Sequence, residues 1–387
     1  MTRAEAARRA EQLRAVGARL FGDRSLSASG TLACASCHRP DRAFGPPDGR
    51  AVRLGGASNT VAGVRAVPSL RYLQAVPAFT EHYYAPADDG DESVDNGPAG
   101  GLTWDGRVDR GRDQARLPLL SPLEMADSSE AAVARKLLAA PYAVDLGTLA
   151  ADGRETVFQA ALEALEAYEE TPELFAPYSS RFDAVLKGRA TLTPLEARGR
   201  AVFEDPARGN CASCHPSEPD RRGVPPVFSD FGYAAIGLPR NREIPANADP
   251  RYFDLGLCGP FRSTLSERPD TCGKFRTPSL RNVATRQVFF HNGVVHSLRD
   301  AVAFYATRDT QPERWYPRGS DGAPVWFDDL PPADRANVER GAPFGRRPGS
   351  RPSLSEADID AVVAFLGTLS DEDVASAWRP AAAGRSR

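Results

Sequence analysis

Two pentapeptides of identical sequence, Cys34-Ala35-Ser36-Cys37-His38 and Cys211-Ala212-Ser213-Cys214-His215, constrain this chain more than any other feature. In a C-x-x-C-H segment the two cysteines are spaced to add across the vinyl groups of one porphyrin, and the histidine that follows is placed to give its imidazole to the iron. A structural zinc site also uses cysteine pairs, but it needs four tetrahedral ligands, usually from separated pairs. The two copies therefore read as attachment sites for two haem c groups, with His38 and His215 as proximal ligands.

The copies lie far apart in a chain of 387 residues, long enough for two or three domains, so each haem is expected to have its own. A formal net charge of −3 leaves no basic footprint for nucleic acid and no polybasic membrane patch. Protein or small-molecule partners are expected instead. With no run of about 18 apolar residues, no membrane span is expected. Residues 1–20 are charged and lack the apolar stretch of a signal peptide. Because haem c is attached outside the cytoplasmic membrane, the expected location is still the periplasm, with the signal absent from this sequence. Disulfides persist there, and of six cysteines only Cys258 and Cys272 remain after haem attachment. A bridge between them is favoured over two free buried thiols.

Leu13, Val16, Leu20 and Phe21 form the apolar stripe of a helix over residues 4–21, just ahead of the first pentapeptide. Residues 39–121 are rich in Gly, Pro and Asp with little helical period, which predicts long irregular excursions around the first haem. Helices are expected again at 128–140 and 154–170. Thr193-Pro194-Leu195-Glu196 carries a capping box with proline at the first helical position, so a helix should run from there to about Phe203. The helix-then-pentapeptide order of the first half is thereby repeated. Ser297 with Asp300, and Ser355 with Asp358, open helices over 298–307 and 356–369. Little reads as strand. The expected architecture is mainly α, with two cytochrome c-like domains at 1–180 and 181–378, each holding one covalently bound haem c among long irregular loops. Residues 379–387 read as a frayed tail.

What fills the sixth iron position separates electron transfer from peroxide chemistry. The chain offers only Met1 and Met125, and beyond the two proximal histidines only His82, His291 and His296. Two electron-transfer haems would need two such ligands at suitable places, so at least one haem is expected to lack a conventional one.

Further motifs extend over nearly the whole length: Leu26-Ser27-Ala28-Ser29-Gly30, Trp104-Asp105-Gly106-Arg107, Gln114 and Pro122-Leu123-Glu124-Met125 in the first half. The second half adds Arg276-Thr277-Pro278-Ser279-Leu280-Arg281-Asn282, Phe290-His291-Asn292-Gly293 and Ser297-Leu298. In these segments the chain resembles the bacterial dihaem cytochrome c peroxidases. Their ordinary members carry an axial methionine on the helix after the His-x-Gly element, where this sequence has Tyr305. A tyrosine there resembles the MauG-like branch and its methanobactin-associated relatives, which use hydrogen peroxide to oxidise aromatic side chains, tryptophan above all, of a partner protein.

The resemblance implies roles residue by residue. The His38 haem would be the peroxide site, with Glu124 as acid/base and Gln114 as hydrogen-bonding partner of peroxide. The second haem would be held by His215 and Tyr305, a hard anionic donor that favours the higher oxidation states. Trp104 would lie between the haems and carry electrons, so that a high-valent state is shared by both. The family's resting-state distal histidine has no counterpart, since His82 sits past its usual place, and the first haem is expected to be five-coordinate. The alternative is a plain peroxidase that draws electrons from a small cytochrome or cupredoxin. The family also implies a calcium ion between the domains, although Arg286 and Val288 stand where it usually has Thr and Pro, and Tyr72 stands near its usual Asn.

Overall fold

A chain with two apolar, helix-rich stretches interrupted by Gly- and Pro-rich segments can bury its apolar stripes only by packing helix on helix. The computed structural model describes residues 2–84, 91, 93–150 and 156–375; the expected tail and the start of the helix at 154 lie outside them. Seven helices of ten residues or more occur among the described residues: α1 (Arg3–Gly22), α2 (Gly111–Leu120), α3 (Glu130–Ala139), α4 (Val157–Glu169), α5 (Pro194–Glu204), α6 (Leu298–Thr307) and α7 (Glu356–Gly367). Among the described residues, sheet is confined to two antiparallel pairs of two-residue strands, Leu54–Gly55 with Val61–Ala62 and Tyr233–Ala234 with Phe275–Arg276.

The helix starts follow their caps. Thr2, Thr193 and Ser355 each accept a hydrogen bond from the backbone of the third helical residue, whose Glu or Asp carboxylate bonds back to the cap. One helix departs from expectation. The segment 39–121 contains α2, hidden because it opens on Gly111, has no side-chain cap, holds Pro118 inside it, and buries only Ala115 and Leu119.

Two large apolar clusters form among the described residues, beside a small third one of Tyr316, Phe327, Leu330 and Val338. One runs from Val16 to Phe175, the other from Phe182 to Leu369. Each is centred on a helix crossing that a glycine makes possible. A Cβ on Gly17 of α1 would fall 1.9 Å from the Ala164 carbonyl oxygen of α4, and one on Gly199 of α5 would fall 1.9 Å from that of Ala361 in α7. The backbones touch, and the pentapeptide that follows α1 or α5 is thereby set at a fixed distance from its crossing.

The likeness of the halves extends well beyond the helices. Phe44 and Phe228 both have left-handed φ, 53° and 55°, and the Oγ atoms of Ser69 and Ser279 each donate at 2.6 Å to the carbonyl just before those phenylalanines. Thr103 and Phe290 (φ 71° and 68°) and Gly106 and Gly293 (φ 61° and 64°) turn two matching loops. These loops close with the bridges Leu102–Val108 and Phe289–Val295 and lead into α2 and α6. The fold is an internal duplication.

Gly199→Ala tests the crossing. An exposed helical Gly→Ala change stabilises by about 0.5–1 kcal/mol, whereas here the added methyl must push α5 off α7 and should destabilise by about 1–3 kcal/mol. Denaturant unfolding of the holoprotein reads the sign, and a stabilised variant would refute the close approach.

Candidate functional site: two haem attachment segments joined at Trp104

Each pentapeptide forms one short helical turn that leaves its histidine ring oriented by the backbone. The His38 Nδ1 lies 3.1 Å from the Phe44 carbonyl and the His215 Nδ1 2.7 Å from that of Phe228. A carbonyl can only accept, so Nδ1 carries the hydrogen and Nε2 is left with its lone pair, the arrangement an axial ligand requires. Burial reinforces this by lowering the His38 pKa to about 4 and that of His215 in the same direction, so both rings are neutral at physiological pH.

The sulfurs are governed by the same burial, which raises Cys34 and Cys211 to about 12. Among the described residues, no three His, Cys, Asp or Glu side chains converge on one point. Cys211, Cys214, His215 and Tyr305 instead line a cavity of about 460 Å³, a volume within the range of about 300–1,000 Å³ usual for cofactor sites. The residues of the second segment fit a covalently held haem, and those of neither segment fit a zinc ion.

Tyr305 is the eighth residue of α6 and stacks on Phe344 at 5.4 Å. Its remaining accessible surface faces the cavity, and burial, with the nearby Cys214 and Cys211 sulfurs, pushes its phenol pKa up. The corresponding residue of the first half is the eighth of α2, Pro118. Proline has no donor atom, so the matching position in the first half offers no side-chain ligand. Sequence inspection alone passes over Pro118 because the repeat becomes visible only through the shared φ values and bridges.

Glu124 lies in the loop after α2 and is held from three sides. Its carbonyl accepts from the Gly56 N–H at 2.8 Å, the Met125 N–H donates to Pro118 at 3.0 Å, and the Met125 carbonyl accepts from Ala28, ahead of the first pentapeptide, at 2.8 Å. Strand residue Gly55 is also fixed by this loop, since a Cβ there would fall 2.7 Å from the Glu124 Cα. The Glu124 side chain is exposed to solvent, yet enough protein surrounds it that desolvation raises its pKa, against the lowering effects of Ser121 and Arg107. Its charge is felt at both Cys34 and Cys37, which places it beside the first attachment segment. Gln114 is half-buried on α2, one turn before Pro118. Met125 is packed in the first apolar cluster.

Trp104 stands where the halves meet. Its Nε1 donates to the Ala66 carbonyl at 2.8 Å, the Ala66 N–H donates to the His291 carbonyl at 2.7 Å, and the Trp104 ring meets the His291 ring edge to face at 6.5 Å. Trp104 and His291 occupy equivalent places in the duplication, so the contact joins like to like. Trp104 also lines the cavity that contains His215 and Tyr305. His291 stacks flat on Phe275 at 3.4 Å, and its Nε2 is buried 3.6 Å from Asp329, beyond hydrogen-bond distance. His82 is exposed and paired with Asp95, and His296 bridges the Gly49 carbonyl and Glu243. Cys258 and Cys272 form a disulfide with Cα atoms 4.9 Å apart.

Residues 11–191 match the family described as di-haem cytochrome c peroxidase. The chain is 37% identical to the methylamine utilization protein MauG of Paracoccus denitrificans, across 95% of this chain and 91% of that protein. It is 30% identical to the cytochrome c551 peroxidase of Pseudomonas aeruginosa, across 76% and 71%. The chain belongs to the dihaem cytochrome c peroxidase and MauG family. Its structure superposes on the diheme peroxidase BthA of Burkholderia thailandensis with a TM-score of 0.81 at 42% identity, covering 94% of this chain and 87% of that one. A MauG-like protein associated with microbial copper homeostasis follows at 0.64 and 26%, covering 94% and 90%. This MauG-like chain is accordingly a haem peroxidase-type oxidoreductase, and the family implies haem c cofactors. Among the described residues no helix is long and apolar enough to cross a membrane.

The expected calcium ion meets a different environment. The Tyr72 hydroxyl donates to Asp371 at 2.7 Å, and the Arg286 guanidinium donates from Nε to the Val288 carbonyl at 3.2 Å and from Nη2 to that of Val67 at 2.9 Å. Calcium takes six to eight oxygen ligands. Here a cation already holds the carbonyls, so the residues do not fit the ion.

Tyr305→Phe removes the one oxygen that α6 presents to the cavity. The ferric absorption and magnetic resonance signature of the second haem should change while that of the first is kept. An unaltered signature would take Tyr305 out of the ligand set.

Proposed function

We propose that this MauG-like enzyme uses hydrogen peroxide at the His38 side and shares the two oxidising equivalents with the His215/Tyr305 side through Trp104. A side chain of a separate periplasmic protein, tryptophan being the most oxidisable candidate, then supplies the electrons. The observation that carries this reading is the asymmetry of an otherwise duplicated fold: Pro118 in α2 and Tyr305 in α6 at equivalent places, with Trp104 on the line of contact. The haems, attached at Cys34/Cys37 and Cys211/Cys214, supply the peroxide reactivity and one-electron chemistry. Pro118, at the place that Tyr305 fills in the other half, offers no ligand atom to compete with peroxide.

The chain's own groups then have distinct tasks. The Glu124 carboxylate accepts a proton from one peroxide oxygen and returns it to the other, and Gln114, on the preceding helix, hydrogen-bonds the peroxide. Positioned proton transfer of this kind contributes about 10²–10⁴-fold. Trp104, fixed by its bond to Ala66, presents an indole that is far easier to oxidise than the phenylalanines around it.

A second reading is a peroxidase fed by a small cytochrome or cupredoxin, and the identity to the Pseudomonas aeruginosa peroxidase and to BthA favours it. Rapid steady-state turnover with such a donor would select it.

In Glu124→Gln the reaction with peroxide should slow by about 10²-fold or more. The proton-accepting form is the carboxylate, and desolvation raises its pKa, so the wild-type rate should rise with pH through a value above the usual glutamate range. That limb should vanish in the variant, and stopped-flow rates that keep it would exclude Glu124.

Trp104→Phe should leave the reaction of peroxide at the first haem intact and stop the response of the second, with partner modification, read by mass spectrometry, falling in step. Wild-type rates for both would end the role given to Trp104.

A further inference from the structure

The Arg286 side chain is enclosed between the halves and lines the central cavity. Burial lowers its pKa to about 10 and nothing offsets that effect, for among the described residues it has no carboxylate partner. It is still a cation at neutral pH. The groups that face it are main-chain oxygens and neutral atoms: Val67 and Val288 accept from it, Gly45 lies close to its Nη1, and the His38 ring is near enough to feel its charge.

Those carbonyls come from both halves. Val288 follows the short helix Val283–Thr285 of the second, and Val67 belongs to the segment Arg65–Ser69 of the first. That segment touches the site at successive residues. Arg65 pairs with Asp105 and Asp254, the Ala66 carbonyl receives Trp104, and the Ser69 hydroxyl bonds to Ala43 beside Phe44. A cation at Val67 therefore tethers the strip that carries both the Trp104 anchor and the support of His38.

We propose that the Arg286 guanidinium is a built-in replacement for the divalent cation expected between the halves, so that this enzyme works without calcium and carries a permanent positive charge beside the first haem. A guanidinium offers five donors in a fixed plane and stays charged where burial would discharge a lysine. It satisfies carbonyls as a hard cation does and cannot be removed by a chelator. A second cation at the same oxygens would be repelled by the first. The fixed charge also has an electronic consequence: ferric haem carries one more positive charge than ferrous, so a nearby buried cation disfavours the ferric form.

The test uses the holoenzyme. Metal analysis should find well under one calcium per chain, and dialysis against EGTA or addition of calcium chloride should leave the spectra, the melting temperature and the peroxide response unchanged. A retained stoichiometric calcium, or a loss on chelation that calcium restores, would overturn the proposal. Arg286→Gln should shift the potential of the first haem downward with little effect on the second, and Arg286→Lys, whose amine burial discharges, should leave it shifted at neutral pH. Equal potentials in wild type and Arg286→Gln would refute the electronic role. The metal analysis decides the calcium question even if that variant fails to fold, and it does not depend on how the oxidising equivalents are used.

Discussion

Arg65, wedged between Asp105 and Asp254 with all three side chains almost fully buried, is the contact on which the rest of the junction depends. Burial alone would discourage its charge, but the two carboxylates outweigh that cost and its pKa is raised. Charge pairs so deeply buried are strongly destabilising to break, because the surviving partner is left without compensation. The pair fixes the loop of Trp104-Asp105-Gly106 against a segment near the disulfide, and Arg262 tightens it by donating to the carbonyls of Asp105 and Gly106. Trp104 is thus held by its own ring, by its flanking aspartate and by the N–H of Arg276, which donates to its carbonyl.

A second polar knot closes the same junction from the other side. Asp371, fully buried, accepts from Arg71, Tyr72 and the side chain of Asn282, while its own N–H donates to the Asn282 side chain. Tyr72 and Asn282 both adopt left-handed φ and each starts a short helical turn, so once more equivalent residues of the two halves meet. Arg281, the counterpart of Arg71, pairs instead with Asp183. A duplicated fold brings equivalent residues together along its axis, so a difference placed there distinguishes one half from the other. Trp104 and His291, and likewise Tyr72 and Asn282, differ at that junction, and Pro118 and Tyr305 differ at matching places on α2 and α6.

Much of this is legible in the amino-acid sequence. The pentapeptides specify attachment chemistry by spacing alone, and the capping boxes at Thr193 and Ser355 mark helix starts because a short polar side chain followed by an acid satisfies two backbone donors at once. Helix α2 is not legible there, since glycine and proline conceal a helix whose stability comes from packing against α4. Pro118 escapes notice for a related reason: it departs from the repeat at one position, and the repeat itself is carried by backbone conformation more than by identity. The role of Arg286 stays hidden because a departure from a family pattern shows only what is missing, and the bonds to Val67 and Val288 are needed to show what took its place.

The central claim is that peroxide arriving at one half oxidises both. Adding one equivalent of hydrogen peroxide to the diferric holoenzyme without any electron donor, and following the ferric magnetic resonance signals of the two haems separately, measures this directly. Sharing across Trp104 predicts that both signals fall together and return together when a donor is supplied. Loss of the first haem's signal with the second haem's signal intact would contradict it.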